Sequence, residues 1–414
     1  MKASPLNQKV PSQISEVVCF GRFIVNVPQS STVVFGRMNV PYLTELLPGE
    51  AINLEKLVAN RLVEIGQEKM YAEGELRTSE SMVGRVLDGE VAGQKIVFGV
   101  GKASGDFYRV QSFVKINEDV VLQEANIFGE GRKYDEVVAN LKSAAKLMRP
   151  LNDDEVPIES GLCLDHVFMA DPEQEIGESF GIGIRLKEFP DVHFSISTTK
   201  KDRMVESDAL EPRLLQAERD AIRAGHGDWY ARIKTFRRGQ RSLGHWHGFE
   251  VLALKPSQAG AGAAHEFVFV SQGEPNNPLL PVLEIEMHTG VGGNKTGAVR
   301  PSLSDEEAVM LWDAVTESIR IRGGAHANAK PVPQSVVECG TVAVAGQPCP
   351  KSGWWEYVDA DGDQLVGGGR QYFRIGERIP QATLFGPRTL LDIATGRKPT
   401  FERTADSRWK YIDD

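Results

Sequence analysis

VVCFGRFIVNVPQS, from Val17 to Ser30, and GLCLDHVFMADPEQ, from Gly161 to Gln174, decide how this chain is to be read. Each sets apolar residues around one cysteine, Cys19 or Cys163, and each runs into a proline. Alternation with a period of two sends successive side chains to opposite faces, so each stretch reads as a strand. Proline donates no backbone hydrogen bond, which places both strands at a sheet edge.

The segments after the two openings are also alike. After the first, AINLEKLVANRLVEIGQEKM (Ala51 to Met70) puts Leu54, Leu57, Val58, Leu62 and Ile65 on one helical face. After the second, DALEPRLLQAERDAIRAG (Asp208 to Gly225) does the same with Leu210, Leu214, Leu215 and Ile222 before a closing glycine. A run of alternating segments comes next in each half, and each half closes on another helix. The first closing helix is YDEVVANLKSAAKLMRP. The second is SDEEAVMLWDAVTESIRIRGG, with Ser304 and Glu307 spaced for a capping box and Gly323–Gly324 as the stop.

Strands that succeed one another between helices pair antiparallel rather than through parallel crossovers. The expected fold is therefore α+β. It has two related domains, 17–155 and 156–328, each an antiparallel sheet packed with helices, then a Pro-rich linker at 329–338. Beyond it, residues 339–414 form a small, mainly-β module rich in Gly and aromatics.

Composition narrows the function. The chain of 414 residues is too long for one core, and 41% hydrophobic with 25% charged residues is the balance of a globular protein. A net charge of −10 excludes a nucleic-acid binder that works through a basic face. No apolar run reaches the ~18 residues a membrane span needs, so no span is expected. MKASPLNQKVPSQISE at the start lacks the apolar core of a secretory signal, so export is expected only of a chain whose signal has been removed.

Enzymatic and ligand motifs come close and miss. Around Ser242 a nucleophile elbow would need glycine where Gln240 stands. His245 and His247 share one side of a strand, the start of a metal site, but no further His/Cys/Asp cluster accompanies them. Gly290 to Gly297 resembles a phosphate loop with Asn294 in place of the glycine before its lysine, so a flexible loop is expected. Asp359-Ala-Asp361-Gly-Asp363 opens like a calcium loop, yet Gln364 and Arg370 occupy the positions that need Gly and Glu. No cofactor, metal or catalytic residue is expected.

The four cysteines lack the close pairs of a zinc site and the Cys-x-x-Cys of a redox enzyme. Gly340, Gly346 and Pro348 let the loop between Cys339 and Cys349 turn back, so a bridge is expected there, contributing ~2 to 3 kcal/mol. For Cys19 and Cys163 two states stay open, a bridge or two buried thiols at equivalent points of the halves.

The Cys-containing openings VCFGRFIVNVP and GLCLDHVFMADP, the duplicated halves and the acidic body resemble a family of bacterial type VI secretion immunity proteins, over about Val17 to Arg322. Those proteins neutralise lipase effectors of the fourth group, phospholipases of the α/β-hydrolase class. The resemblance implies a non-enzymatic, periplasmic inhibitor whose two domains grip the effector and block its active site. Residues 339–414 extend beyond the family's pattern. The residues leave two other classes open: a periplasmic ligand- or metal-binding protein or enzyme using His245 and His247, and an adaptor that loads an effector.

A tight inhibitor needs aromatic or polar anchors on preformed loops. Trp229 and Tyr230, Asn276 and Asn277, and Asn294 and Lys295 stand in Gly-flanked loops and are the expected partner contacts. Packing into the core is the competing fate of the two rings. Trp354 and Trp355, adjacent on an expected strand, point one inward and one outward.

Overall fold

The computed structural model describes residues 14–413 except 30, 69–80, 102–105, 129–133, 153–154, 172–177, 204, 324–338, 352, 359–369, 374–378, 380, 386–399 and 403–406. The expected linker and the Asp359–Asp363 segment lie outside the described residues.

The first half contains β1 (Ile14–Phe20), β2 (Phe23–Pro28), β3 (Thr32–Phe35), β4 (Met38–Asn39), β5 (Leu43–Leu47) and α1 (Leu54–Gln67). These lead into β6 (Val86–Asp88), β7 (Gln94–Val100), β8 (Asp106–Ile116), β9 (Asp119–Phe128), α2 (Tyr134–Lys146) and β10 (Met148–Pro150). The second half begins with β11 (Gly161–Leu164), β12 (Val167–Ala170), β13 (Ser179–Arg185), β14 (His193–Thr199), α3 (Leu210–Arg223) and the single-turn α4 (Gly227–Tyr230). It continues through β15 (Lys234–Leu243), β16 (Trp246–Lys255), β17 (Ala264–Ser271), β18 (Val282–His288), α5 (Asp305–Glu317) and β19 (Arg320–Ile321).

The α+β expectation holds, and the pairings among these strands are antiparallel. One sheet runs through both halves in the order β15-β16-β17-β18-β14-β13-β4-β5-β9-β8-β7-β6, with β3 also on β13. β13 is the seam: it pairs with β14 of its own half and with β3 and β4 of the other.

Each opening is a hairpin rather than the expected single strand. Gly21 (φ 51°) and Asp165 (φ 63°) adopt left-handed backbone, which reverses the chain between β1 and β2 and between β11 and β12. The hairpins are exchanged between the halves. Phe20, Phe23, Val25 and Val27 of β1–β2 pack with Phe194, Phe267 and Trp312 in the core of the second half. Leu162, Leu164, Val167 and Met169 of β11–β12 pack with Val114, Val121 and Ala145 in the first. Where the hairpins cross, Cys19 and Cys163 form a disulfide with a Cα–Cα distance of 5.8 Å. Gly21 and Cys163 also exchange backbone hydrogen bonds of 2.9 and 2.8 Å.

The capping box at Ser304 and Glu307 is present. α5 stops at Glu317, before the expected Gly323–Gly324, because Arg320 and Ile321 leave the helix to pair with β2.

The C-terminal module contributes β20 (Val342–Val344), β21 (Gly353–Tyr357), β22 (Arg370–Phe373), β23 (Thr383–Phe385), β24 (Thr400–Glu402) and β25 (Arg408–Asp413). It is mainly β, as expected, with a four-stranded sheet β20-β25-β21-β22. The tryptophan pair does split across the strand, but both rings are buried. Trp355 lies in the module's own core with Trp409 and Tyr411. Trp354 enters the core of the main body, edge-on to Phe236 at 6.3 Å.

The expected Cys339–Cys349 bridge is absent, a correction with a local cause. Cys339 is an exposed thiol whose Sγ donates to the Ile412 carbonyl at 2.9 Å, beside β25. Cys349 is buried in the module core, and its Sγ donates to the Lys351 carbonyl at 3.0 Å. The two sulfurs are thus committed to different carbonyls of the small module, one at its surface and one in its core.

Candidate binding surface

α1 and α3 lie on the same face of the long sheet. α1 rests through Leu54, Val58 and Ile65 on Val97, Phe113 and Val120. α3 rests through Leu210 and Leu214 on Phe249 and Val270. Tracing the cross-strand partners from Val120 and from Val270 leads to one row of front-facing residues on the seam: Ser179, Gly181, Gly183 and Arg185 of β13. Opposite them on β14 stand Thr199, Ser197, Ser195 and His193, and beyond those Glu284, Glu286 and His288 of β18. Between the two helices the sheet is therefore floored by glycine and serine, and a cleft of about 480 Å³ opens there.

One end of this floor is cationic. Arg185 pairs across the strands with His193, and His193 with His288. Arg185 donates to Asn294 Oδ1 at 2.8 Å, and no carboxylate lies within ion-pair distance of it among the described residues. Burial, and then the Arg185 charge, push the His193 imidazole below its usual value. His288 Nε2 faces Glu286 Oε2 at 3.4 Å.

The back of the sheet is braced by buried charges. Arg237 bonds Glu250 and, at 2.6 Å, Asp313, while Arg241 bonds Glu250 and, at 2.7 Å, Thr316. Trp312 Nε1 donates to Glu250 at 2.8 Å. This network ties β15 and β16 to α5. At the hairpin crossing, Arg22 bonds Asp171 and, at 2.8 Å, Glu178. Arg149 and Arg322 both stack on the Phe168 ring.

The expected contact residues fall in three places. Trp229 and Tyr230, in α4, are half-buried, and Trp229 Nε1 donates to the Pro256 carbonyl at 3.1 Å, past the end of β16. Asn276 is exposed with φ 56°, and its N–H donates to the Lys201 carbonyl at 2.7 Å beyond the end of β14. Asn277 folds back on Glu274 at 2.8 Å. Asn294, φ 64°, meets Arg185 at the cationic end of the cleft, and Lys295 Nζ donates to the Gly260 carbonyl at 3.0 Å. Of these six, Asn294 is the one that touches a residue lining the cleft.

The near-miss motifs resolve as local structure. Gly292 and Lys295 exchange backbone hydrogen bonds of 3.0 Å, closing a tight turn where a phosphate loop would open its amides. Ser242 Oγ and His247 Nδ1 are 2.8 Å apart on an exposed hairpin, cross-strand neighbours. Among the described residues no group of three or more His, Cys, Asp or Glu gathers to hold a metal.

Sequence reasoning missed one cluster. His265, buried, faces Thr289 Oγ1 through Nδ1 and Asp305 Oδ1 through Nε2, both at 2.9 Å. The His265 hydrogen bond, with help from Lys234, holds Asp305 down at about 2 against partial burial. Thr289 is completely buried, so its hydroxyl orients the imidazole and is closed to a substrate. Three residues so far apart in the chain share no local spacing that would have revealed them.

The body is thus built on one long sheet with an open, polar-floored face between α1 and α3. Residues 155–324 match the family described as the C-terminal domain of Tle cognate immunity protein 4. No curated protein matches the sequence. The apo structure of the immunity protein TplEi of the type VI secretion system of Pseudomonas aeruginosa is similar, with TM-score 0.59 and 20% identity over 75% of this chain and 98% of that one. The Tle4–Tli4 complex contains a similar chain, with TM-score 0.60 and 21% identity over the same shares. At such identities the likeness establishes the fold.

Proposed function

We propose that this protein binds and inhibits a secreted antibacterial phospholipase effector of the type VI secretion system, of α/β-hydrolase fold, by closing access to its active site. The observation that carries the reading is the immunity-family domain at residues 155–324. The fold shared with the Tle4–Tli4 complex supports it. The protein acts as a stoichiometric partner and performs no catalysis. We place it in the periplasm, where the Cys19–Cys163 disulfide is at home in an oxidising compartment.

The two halves act as related units that grip the effector together. Because the hairpins are exchanged, we divide the body into 32–170 and 14–28 with 179–322 rather than at 155, with 339–414 as a docked third unit. Trp229, Tyr230, Asn276, Asn277, Asn294 and Lys295 are candidate contacts on its loops.

Mixing the purified protein with the hydrolase encoded beside it tests the reading. Loss of lipase activity at equimolar ratio and a complex on gel filtration are expected. Full activity with no complex would sink it.

A further inference from the structure

The glycines of β13 are not required by the fold around them. Glycine weakens a strand interior, and it is kept there for a bulge, a bend or the close approach of something else. Neither Gly181 nor Gly183 has a positive φ. A Cβ added at Gly181 meets nothing within 4 Å, and one added at Gly183 meets only two backbone oxygens at 4.0 Å. β13 pairs in unbroken register with β14 from Ser179 to Arg185, so no bulge explains them. Gly273, by contrast, would drive a Cβ to within 2.2 Å of a carbonyl oxygen, the mark of a glycine kept for internal packing.

The two bare positions face the same side, at the centre of the floor between α1 and α3. Val34, 53% exposed, borders them on β3, and only short serines border them on β14. The cleft they floor, about 480 Å³, has room for a large side chain laid against peptide planes. Beside it stands Arg185, with no carboxylate partner among the described residues, in a chain of net charge −10. A cation held by a neutral amide on an acidic protein is complementary to a carboxylate brought from outside.

We propose that this glycine-floored trough on β13 is the seat of a segment of the effector protein that lays a bulky apolar or aromatic side chain over Gly181 and Gly183 and sets a carboxylate against Arg185. The proposal rests on the immunity reading and assigns it a surface. A buried ring against a preformed floor is the anchor type that dominates protein interfaces, and exclusion of water strengthens the neighbouring charge pair.

Gly183→Trp fills the trough, and Arg185→Glu reverses its charge. Ile52→Trp, at a position 89% exposed and on the short helical turn before α1, is the control. Each is titrated against the hydrolase encoded by the neighbouring gene, with circular dichroism to check folding. Gly183→Trp is expected to keep its spectrum and weaken binding by about 100-fold, with matching loss of inhibition. Arg185→Glu is expected to weaken binding by about 10-fold or more, and Ile52→Trp to leave it unchanged. If Gly183→Trp fails to fold, Arg185→Glu with Gly183→Val decides. Tight binding by the folded trough variants, while the wild type inhibits, overturns the trough and leaves the immunity reading standing. Failure of the wild type to bind overturns that reading, and the trough with it.

Discussion

A single arginine at the hairpin crossing serves two carboxylates. Arg22 bonds both Asp171 and Glu178, and all three side chains are buried. Arg22, with a weaker contribution from the Lys200 charge, does not offset the cost of taking both carboxylates out of water. Burial accordingly raises Glu178 from 4.5 to about 7, with Arg22 opposing the shift, and its Oε1 has no hydrogen-bond partner among the described residues. The folded protein thus keeps a proton that the unfolded chain releases near pH 4.5. The stability from this group is full below that pH and is lost as pH rises through 7. Glu178→Gln should therefore gain stability relative to the wild type between about pH 5 and 8, by up to about 3 kcal/mol. Urea unfolding of both proteins across that range reads it, and a pH-independent difference would refute it.

At the scale of elements, the disulfide joins two hairpins that are remote in sequence and exchanged in space. Cys19 and Cys163 are 144 residues apart, so the bridge removes much freedom from the unfolded chain, worth about 2 to 5 kcal/mol. It also holds the crossing at which each hairpin enters the other half's core. Replacing both cysteines by alanine should lower the unfolding free energy by that amount, and reductant should do the same to the wild type. Denaturation with and without dithiothreitol checks this; coincident curves would show that packing alone holds the crossing. Much at this scale was legible in the chain. The apolar spacing of Leu54, Val58 and Ile65 marks α1, and Ser304 with Glu307 marks the start of α5. The turns at Gly21 and Asp165 were not legible, since alternating apolar residues on both sides of a turn look like one strand.

For the whole molecule, the third unit is part of the body rather than a tail. Trp354 is 2% exposed and sits among Phe236 and its neighbours, while Trp355, one residue on, faces the module's own core. Trp354→Ala should cost about 3 to 5 kcal/mol and undock the module. Trp355→Ala should unfold the module and leave the body's transition in place. Calorimetry separates the two outcomes: a single shared loss in both variants would mean that the module and body have one core.

The amino-acid sequence alone determined the helical faces, the mainly-β character of the C-terminal unit and the resemblance to immunity proteins. These depend on periodicity and capping among near neighbours, which local backbone sterics and amphipathicity impose wherever the segment ends up. Only the tertiary structure decided that the hairpins exchange, that Cys19 pairs with Cys163 while Cys339 and Cys349 stay apart, and that both tryptophans are buried. It also decided that β13 joins two sheets into one, with bare glycines facing solvent at the seam. Those outcomes depend on which distant surfaces find each other, and a strand's pattern specifies the face it buries but not the partner that covers it.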